Sequence, residues 1–174
     1  KYPENKAEYH NPYYAAMVNT LDDGVGRIVQ KLRETGLIDN TIIVFTSDNG
    51  GVSVEELGPK PTSLLPLRAC KGSVYEGGIR VPAIVSFPGT IPQNQVCNVP
   101  FSNTAYFPTL LQFAGVKYIE KDLDARSILP LLLKNPTETY ALGTLVWHYP
   151  HFSNQGGRPA SAIRVGDFKL IEHY

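Results

Sequence analysis

Thr41-Ile-Ile-Val-Phe-Thr-Ser-Asp-Asn-Gly-Gly51 is the stretch on which the fold turns. Ile42 to Phe45 is a short unbroken apolar run rich in β-branched residues. A run of that kind predicts a strand covered on both faces, as in an α/β sheet, because a half-wet strand would alternate with polar residues. Upstream, Asn11-Pro12 supplies an N-cap side chain and a proline at the first helical position. Val18, Leu21, Val25, Ile28 and Leu32 then recur at helical spacing, and Gly36 stands where a left-handed C-cap would end the helix. The result is an expected amphipathic helix of about six turns. Asp22 and Asp23 within it read as a solvated face, and Gly24-Val25-Gly26 lies mid-helix, where no phosphate loop forms. Helix, short turn and buried strand together predict half of a βαβ unit.

Working outward, Gly50 to Pro66 has no periodicity and carries Pro59, Pro61 and Pro66. Irregular loops of this length in folded domains are usually functional or disordered. Ile79 to Phe87 predicts a second apolar strand, interrupted by Pro82 and closed by Pro88-Gly89. Tyr106 to Ala114, ending at Gly115, and Ser127 to Leu133 read as short helices. After about Pro136 the texture changes: Thr144–Trp147, Ala160–Val165 and Phe168–Ile171 are short strands separated by Gly, Pro, Asn and Asp turns. The expected organisation is therefore α/β over 1–136 and a small antiparallel β lobe over 137–174.

The 174 residues suffice for one domain with a hydrophobic core, with room for a small second lobe. Sixteen basic residues balance sixteen acidic ones, so no overall field steers the chain toward nucleic acid or an anionic membrane. No apolar stretch approaches the roughly 20 residues of a membrane span. Cys70 and Cys97 are too few for a disulfide framework and too far apart for a redox pair. Lys1-Tyr-Pro-Glu-Asn-Lys6 does not have the form of a signal peptide, and the abrupt opening leads to the expectation of a piece of a larger protein.

Chemistry concentrates in two places. Asp48-Asn49-Gly50-Gly51 fits an ordinary tight turn, yet it stands at the carboxyl end of a predicted buried strand, where open α/β sheets place ligands. Leu67-Arg-Ala-Cys-Lys-Gly-Ser-Val-Tyr-Glu-Gly-Gly-Ile-Arg-Val-Pro82 sets Lys71 in a glycine-rich turn. A carboxylate, an amide oxygen and a compact ammonium are suited to a hard cation and a bound oxyanion in one pocket. Arg68 and Arg80 are expected to pair with Glu76 or loop carbonyls rather than to act in catalysis.

These two segments resemble the type I sulfatases, the formylglycine-dependent sulfate-ester hydrolases of the alkaline-phosphatase superfamily. The resemblance runs from about Tyr14 to Leu170 and is sharpest from Thr41 to Gly89. It implies that Asp48 and Asn49 are two oxygen ligands of a Ca²⁺ site and that Lys71 contacts the sulfate. It further implies a catalytic α/β/α sheet, of which this chain would hold the late part, and a sulfated sugar or aryl substrate. An extracytoplasmic location, whether periplasmic, secreted or lysosomal, follows from the same resemblance. Ala69-Cys70 stands where the family pattern has Gly-Gly, Ala105 where an aspartate is common, and Ala125 where an Asp-Gly turn is usual.

The family's Cys/Ser-x-Pro-x-Arg motif, the source of formylglycine, is absent. Cys97-Asn-Val-Pro100 and Ser63-Leu-Leu-Pro-Leu-Arg68 both miss it by spacing. The 174-residue chain alone is therefore expected to be inactive. Trp147-His148-Tyr149-Pro150-His151 does not suit zinc, since residues three apart on a strand face opposite sides. Its aromatic and imidazole content suits a sugar face, which makes His148 and His151 candidate substrate contacts, beside the plainer reading of loop histidines. Two other functions stay open: a phosphodiester or phosphonate hydrolase of the same superfamily, and a non-catalytic glycan-binding or scaffold domain.

Overall fold

The computed structural model describes residues 11–53, 61–133 and 143–174. Asn11 accepts a hydrogen bond from the Tyr14 amide at 3.0 Å, and with Pro12 at the first position helix α1 runs over Pro12–Glu34. It ends where the Leu37 amide reaches back to the Leu32 carbonyl at 2.9 Å, with Gly36 at a φ of 69°. The expected amphipathic helix is present, but none of its residues is buried. A short 3₁₀ turn, Ile38–Asn40, leads into strand β1, Ile43–Thr46.

Strand β1 pairs antiparallel with β2, Ala83–Ser86, from Ile43 opposite Ser86 to Thr46 opposite Ala83. Helix, turn and strand follow one another as the expected half-unit has them, and among the described residues the pairing of β1 is antiparallel and two-stranded. The expected cover on both faces is not complete among the described residues, for Ile43, Val44 and Phe45 are only half-buried. The second strand starts later than its apolar run predicts, because Glu76–Ile79 forms a single helical turn, α2, closed by the Arg80 amide on the Glu76 carbonyl at 2.8 Å. Pro82 lacks an amide to donate, so pairing begins only beyond it.

A small helical core follows. Helix α3, Tyr106–Phe113, and helix α4, Leu129–Leu133, meet around Ala105, Ile128 and Leu131. Thr109 joins them: its hydroxyl donates to the Ala105 carbonyl at 2.6 Å and accepts from the Ile128 amide at 2.9 Å. A buried hydroxyl so satisfied carries no desolvation penalty. Ser127, whose oxygen accepts from the Leu129 amide at 3.1 Å, opens α4.

The expected antiparallel lobe is a meander of β3 (Leu145–Tyr149), β4 (Ala160–Val165) and β5 (Phe168–His173). The expected boundary near Pro136 lies outside the described residues. Trp147, Tyr149, Ala160, Ala162 and Ile171 gather on one face around Val74, which comes from the Lys71 segment. Strand alternation puts Val146, His148, Ser161, Ile163 and Leu170 on the other face. The sheet thus presses one side against the turn that carries Lys71.

Candidate active site

The corner is built by backbone rather than by large side chains. At the end of β1 the Thr46 hydroxyl donates to the Pro82 carbonyl at 3.0 Å, and the Ser47 hydroxyl to the Asn49 carbonyl at 2.9 Å. Asp48 is left exposed and Asn49 half-buried. The Asn49 side-chain amide donates to the Gly50 carbonyl at 3.0 Å, and its oxygen meets no donor among the described residues. The Gly50 amide donates to Gly78 at 2.9 Å, and the approach is so close that a Cβ on Gly50 would overlap the Gly77 carbonyl. The Lys71 amide donates to the Gly51 carbonyl at 3.0 Å. Lys71 is thereby tied to the backbone directly following Asp48, Asn49 and Gly50.

Within the turn, the Ser73 hydroxyl donates to the Cys70 carbonyl at 2.9 Å and the Gly77 amide to the Arg68 carbonyl at 2.8 Å. Ala69 has a φ of 63°, the left-handed region that a Cβ disfavours. Cys70 is buried, Cys97 is exposed, and both are free thiols.

Glu76 does not pair with Arg68 or Arg80. The Arg68 guanidinium instead lies over the Tyr75 ring, 4.2 Å from its centroid. Glu76 is held by Lys169 at 2.9 Å and Arg164 at 3.9 Å, both from the C-terminal sheet. Sequence reasoning missed these partners, since Lys169 lies 93 residues downstream and no local spacing marks it.

The lobe also touches the turn next to Lys71. Residues 153–157 form a loop closed by the Ser153 amide on the Gly157 carbonyl at 2.9 Å. A Cβ on Gly157 would overlap the Gly72 carbonyl, and one on Gly72 would overlap the Ser153 hydroxyl. His151 enters this loop exposed, its ring edge-on to Tyr149 at 5.5 Å. His148 lies on the opposite sheet face from Val74, with Nδ1 2.9 Å from the Ser161 hydroxyl and 3.2 Å from that of Tyr174. The two histidines thus have different surroundings, His148 within β3 and His151 beyond its end.

Asp48 and Asn49 offer oxygen donors, the ligand type that Ca²⁺ takes. They fit such an ion as two donors of a larger set, and among the described residues no group of three or more His, Cys, Asp or Glu could hold a metal.

Two family models match this architecture, Sulfatase over residues 1–116 and the C-terminal region of N-sulphoglucosamine sulphohydrolase over residues 70–174. The chain belongs to the sulfatase family. A sulfatase of Formosa agariphila is 36% identical over 178 residues, covering 92% of this chain and 31% of the relative. The solved Ps i-CgsB, in complex with k-i-k-neocarrahexaose, superposes with a TM-score of 0.74 at 34% identity, over 91% of this chain and 33% of the other. A structure holding its substrate D-glucosamine-2-N,6-O-disulfate gives 0.74 at 31% identity, over 90% and 30%. The chain thus spans about a third of the length of the sulfatases that it matches. These neighbours carry an α/β fold, to which two antiparallel sheets and four helices of the described residues contribute here. No helix among the described residues is long and apolar enough to cross a membrane.

Proposed function

We propose that this chain forms part of a sulfatase that hydrolyses the sulfate ester of a sugar or aryl substrate outside the cytoplasm. The observation that carries the reading is the Lys71 amide bonded to Gly51 at 3.0 Å, which brings a lysine to the Asp48-Asn49 turn. Lys71 binds a sulfate oxygen and offsets negative charge that grows on the transferring group and leaving oxygen. Asp48 and Asn49 would hold Ca²⁺ through their side-chain oxygens. The bound ion would supply positive charge beside the sulfate, and a formylglycine from sequence outside these 174 residues would supply the attacking hydroxyl. His151 meets the sugar from the loop that lies on Gly72, whereas His148, turned to Ser161 and Tyr174, is the weaker of the two candidate contacts.

Arylsulfate hydrolysis with Ca²⁺, by the full-length protein and by the 174-residue chain, tests this reading. Lys71→Ala is expected to lower kcat/KM of the full-length protein by roughly 10²–10³, the usual cost of losing one preorganised charge stabiliser. Asp48→Ala is expected to match it and to raise the Ca²⁺ concentration needed for half-activity. The 174-residue chain should show no turnover. Undiminished activity in both variants would return Asp48 and Lys71 to the status of turn residues. Turnover of phosphodiesters in place of sulfate esters would favour the other chemistry of the superfamily, and Ca²⁺-independent glycan binding by the chain alone would favour a binding module.

A further inference from the structure

We propose that Glu76 is a positioning residue for Lys71, latched from the C-terminal sheet by Lys169 and Arg164. The proposal rests on the reading of Lys71 as the sulfate contact. One oxygen of the Glu76 carboxylate lies 2.9 Å from the Lys169 ammonium and the other 3.9 Å from the Arg164 guanidinium. With both oxygens engaged, the carboxylate has one orientation. The three side chains are shielded, at 30%, 14% and 24% exposure for Glu76, Lys169 and Arg164. Lys169 is held from a second side by the Trp147 ring, 4.9 Å away.

Glu76 opens α2, and α2 touches both halves of the candidate site. Gly77 donates to the Arg68 carbonyl at the start of the Lys71 turn, while Gly78 accepts the Gly50 amide that follows Asp48-Asn49. Tyr75, just ahead of it, adds a contact to β5, its hydroxyl 3.2 Å from Nε2 of His173. A shift of α2 therefore carries the lysine turn and the carboxylate turn with it. Shielded ion pairs of this kind add little net stability, because desolvation offsets attraction, so the part assigned to this one is to hold α2 in place. Placement matters in such a site, where an error of about 1 Å can cost on the order of 10²-fold in rate.

The test uses the full-length protein and arylsulfate turnover with Ca²⁺, with near-UV circular dichroism as the check on folding. Glu76→Gln and Lys169→Met are each expected to lower kcat about tenfold with a smaller change in KM, whereas Lys169→Arg stays within about twofold. In a Lys71→Ala background Glu76→Gln should cost clearly less than it does alone, since much of its effect passes through the lysine. Retention of kcat by folded Glu76→Gln and Lys169→Met, or an equal loss with and without Lys71, would overturn the latch while leaving the role of Lys71 intact. Failure of both variants to fold would make Glu76 a stability strut and also overturn it. Full activity of Lys71→Ala itself would remove the underlying reading, and the latch with it.

Discussion

Helix α1 leaves Val18, Leu21 and Ile28 at 48%, 56% and 63% exposure, whereas the corner between β1 and the Lys71 turn buries Gly50, Cys70, Val74, Gly77 and Gly78. The helix carries a strong apolar stripe of which only Val25 and Leu32 are half-buried among the described residues. The corner carries few bulky side chains and is closed by amide-to-carbonyl bonds between segments distant in sequence. The contrast separates two kinds of signal. Periodicity marks which face of an element calls for cover, but not which element supplies it. Glycines spaced as Gly50, Gly77 and Gly78 mark where backbone meets backbone, and such contacts name their partners more closely.

The contrast can be broken or sharpened by substitution. In the corner, Gly50→Ala is expected to have the largest effect, a loss of roughly 1–3 kcal/mol by denaturant titration, because its Cβ would overlap the Gly77 carbonyl and backbone cannot step aside cheaply. A cost below about 0.5 kcal/mol would mean that the corner is looser than drawn. Ala69→Gly should act in the opposite direction. Relief of the left-handed φ is worth about 1–2 kcal/mol and glycine's extra unfolded-state freedom takes back about 0.4–1, for a small net gain in denaturation midpoint. On the helix, Leu21→Ala and Ile28→Ala in the 174-residue chain should stay within about 0.5 kcal/mol. A cost of about 2 kcal/mol or more would show that something covers the stripe in solution.

Much of the architecture is legible in local pattern. The Asn11-Pro12 cap, the Gly36 stop, the α3 helix ending before Gly115 and the strand Ala160–Val165 all follow from residues within one turn of where they act. Elements that depend on distant partners are less so. The all-apolar run in β1 predicts cover on both faces, yet among the described residues its partner is the single antiparallel strand β2, and Ile43, Val44 and Phe45 stay partly exposed. Ile79 reads as strand by composition and is instead the last residue of α2, because the close approach at Gly77 and Gly78 favours a tight turn there. At the site, the Asp48-Asn49 and Lys71 segments were readable as partners. Glu76 was not, for its cations arrive from β4 and β5, and Arg68, one of the two arginines expected beside it, stacks on Tyr75 instead.

The contacts between the Lys71 segment and the C-terminal lobe join residues 85 apart at Cys70 and Gln155, 93 at Glu76 and Lys169, and 98 at Tyr75 and His173. Contacts of such separation require closure of a long loop before they return any energy, and they form late in folding. Helix α1 and the α3–α4 core can assemble from their own neighbourhoods, but the surroundings of Lys71 can be completed only after the meander has been made and docked. On gentle denaturation the order reverses, so this corner is expected to come apart while most of the helical signal remains.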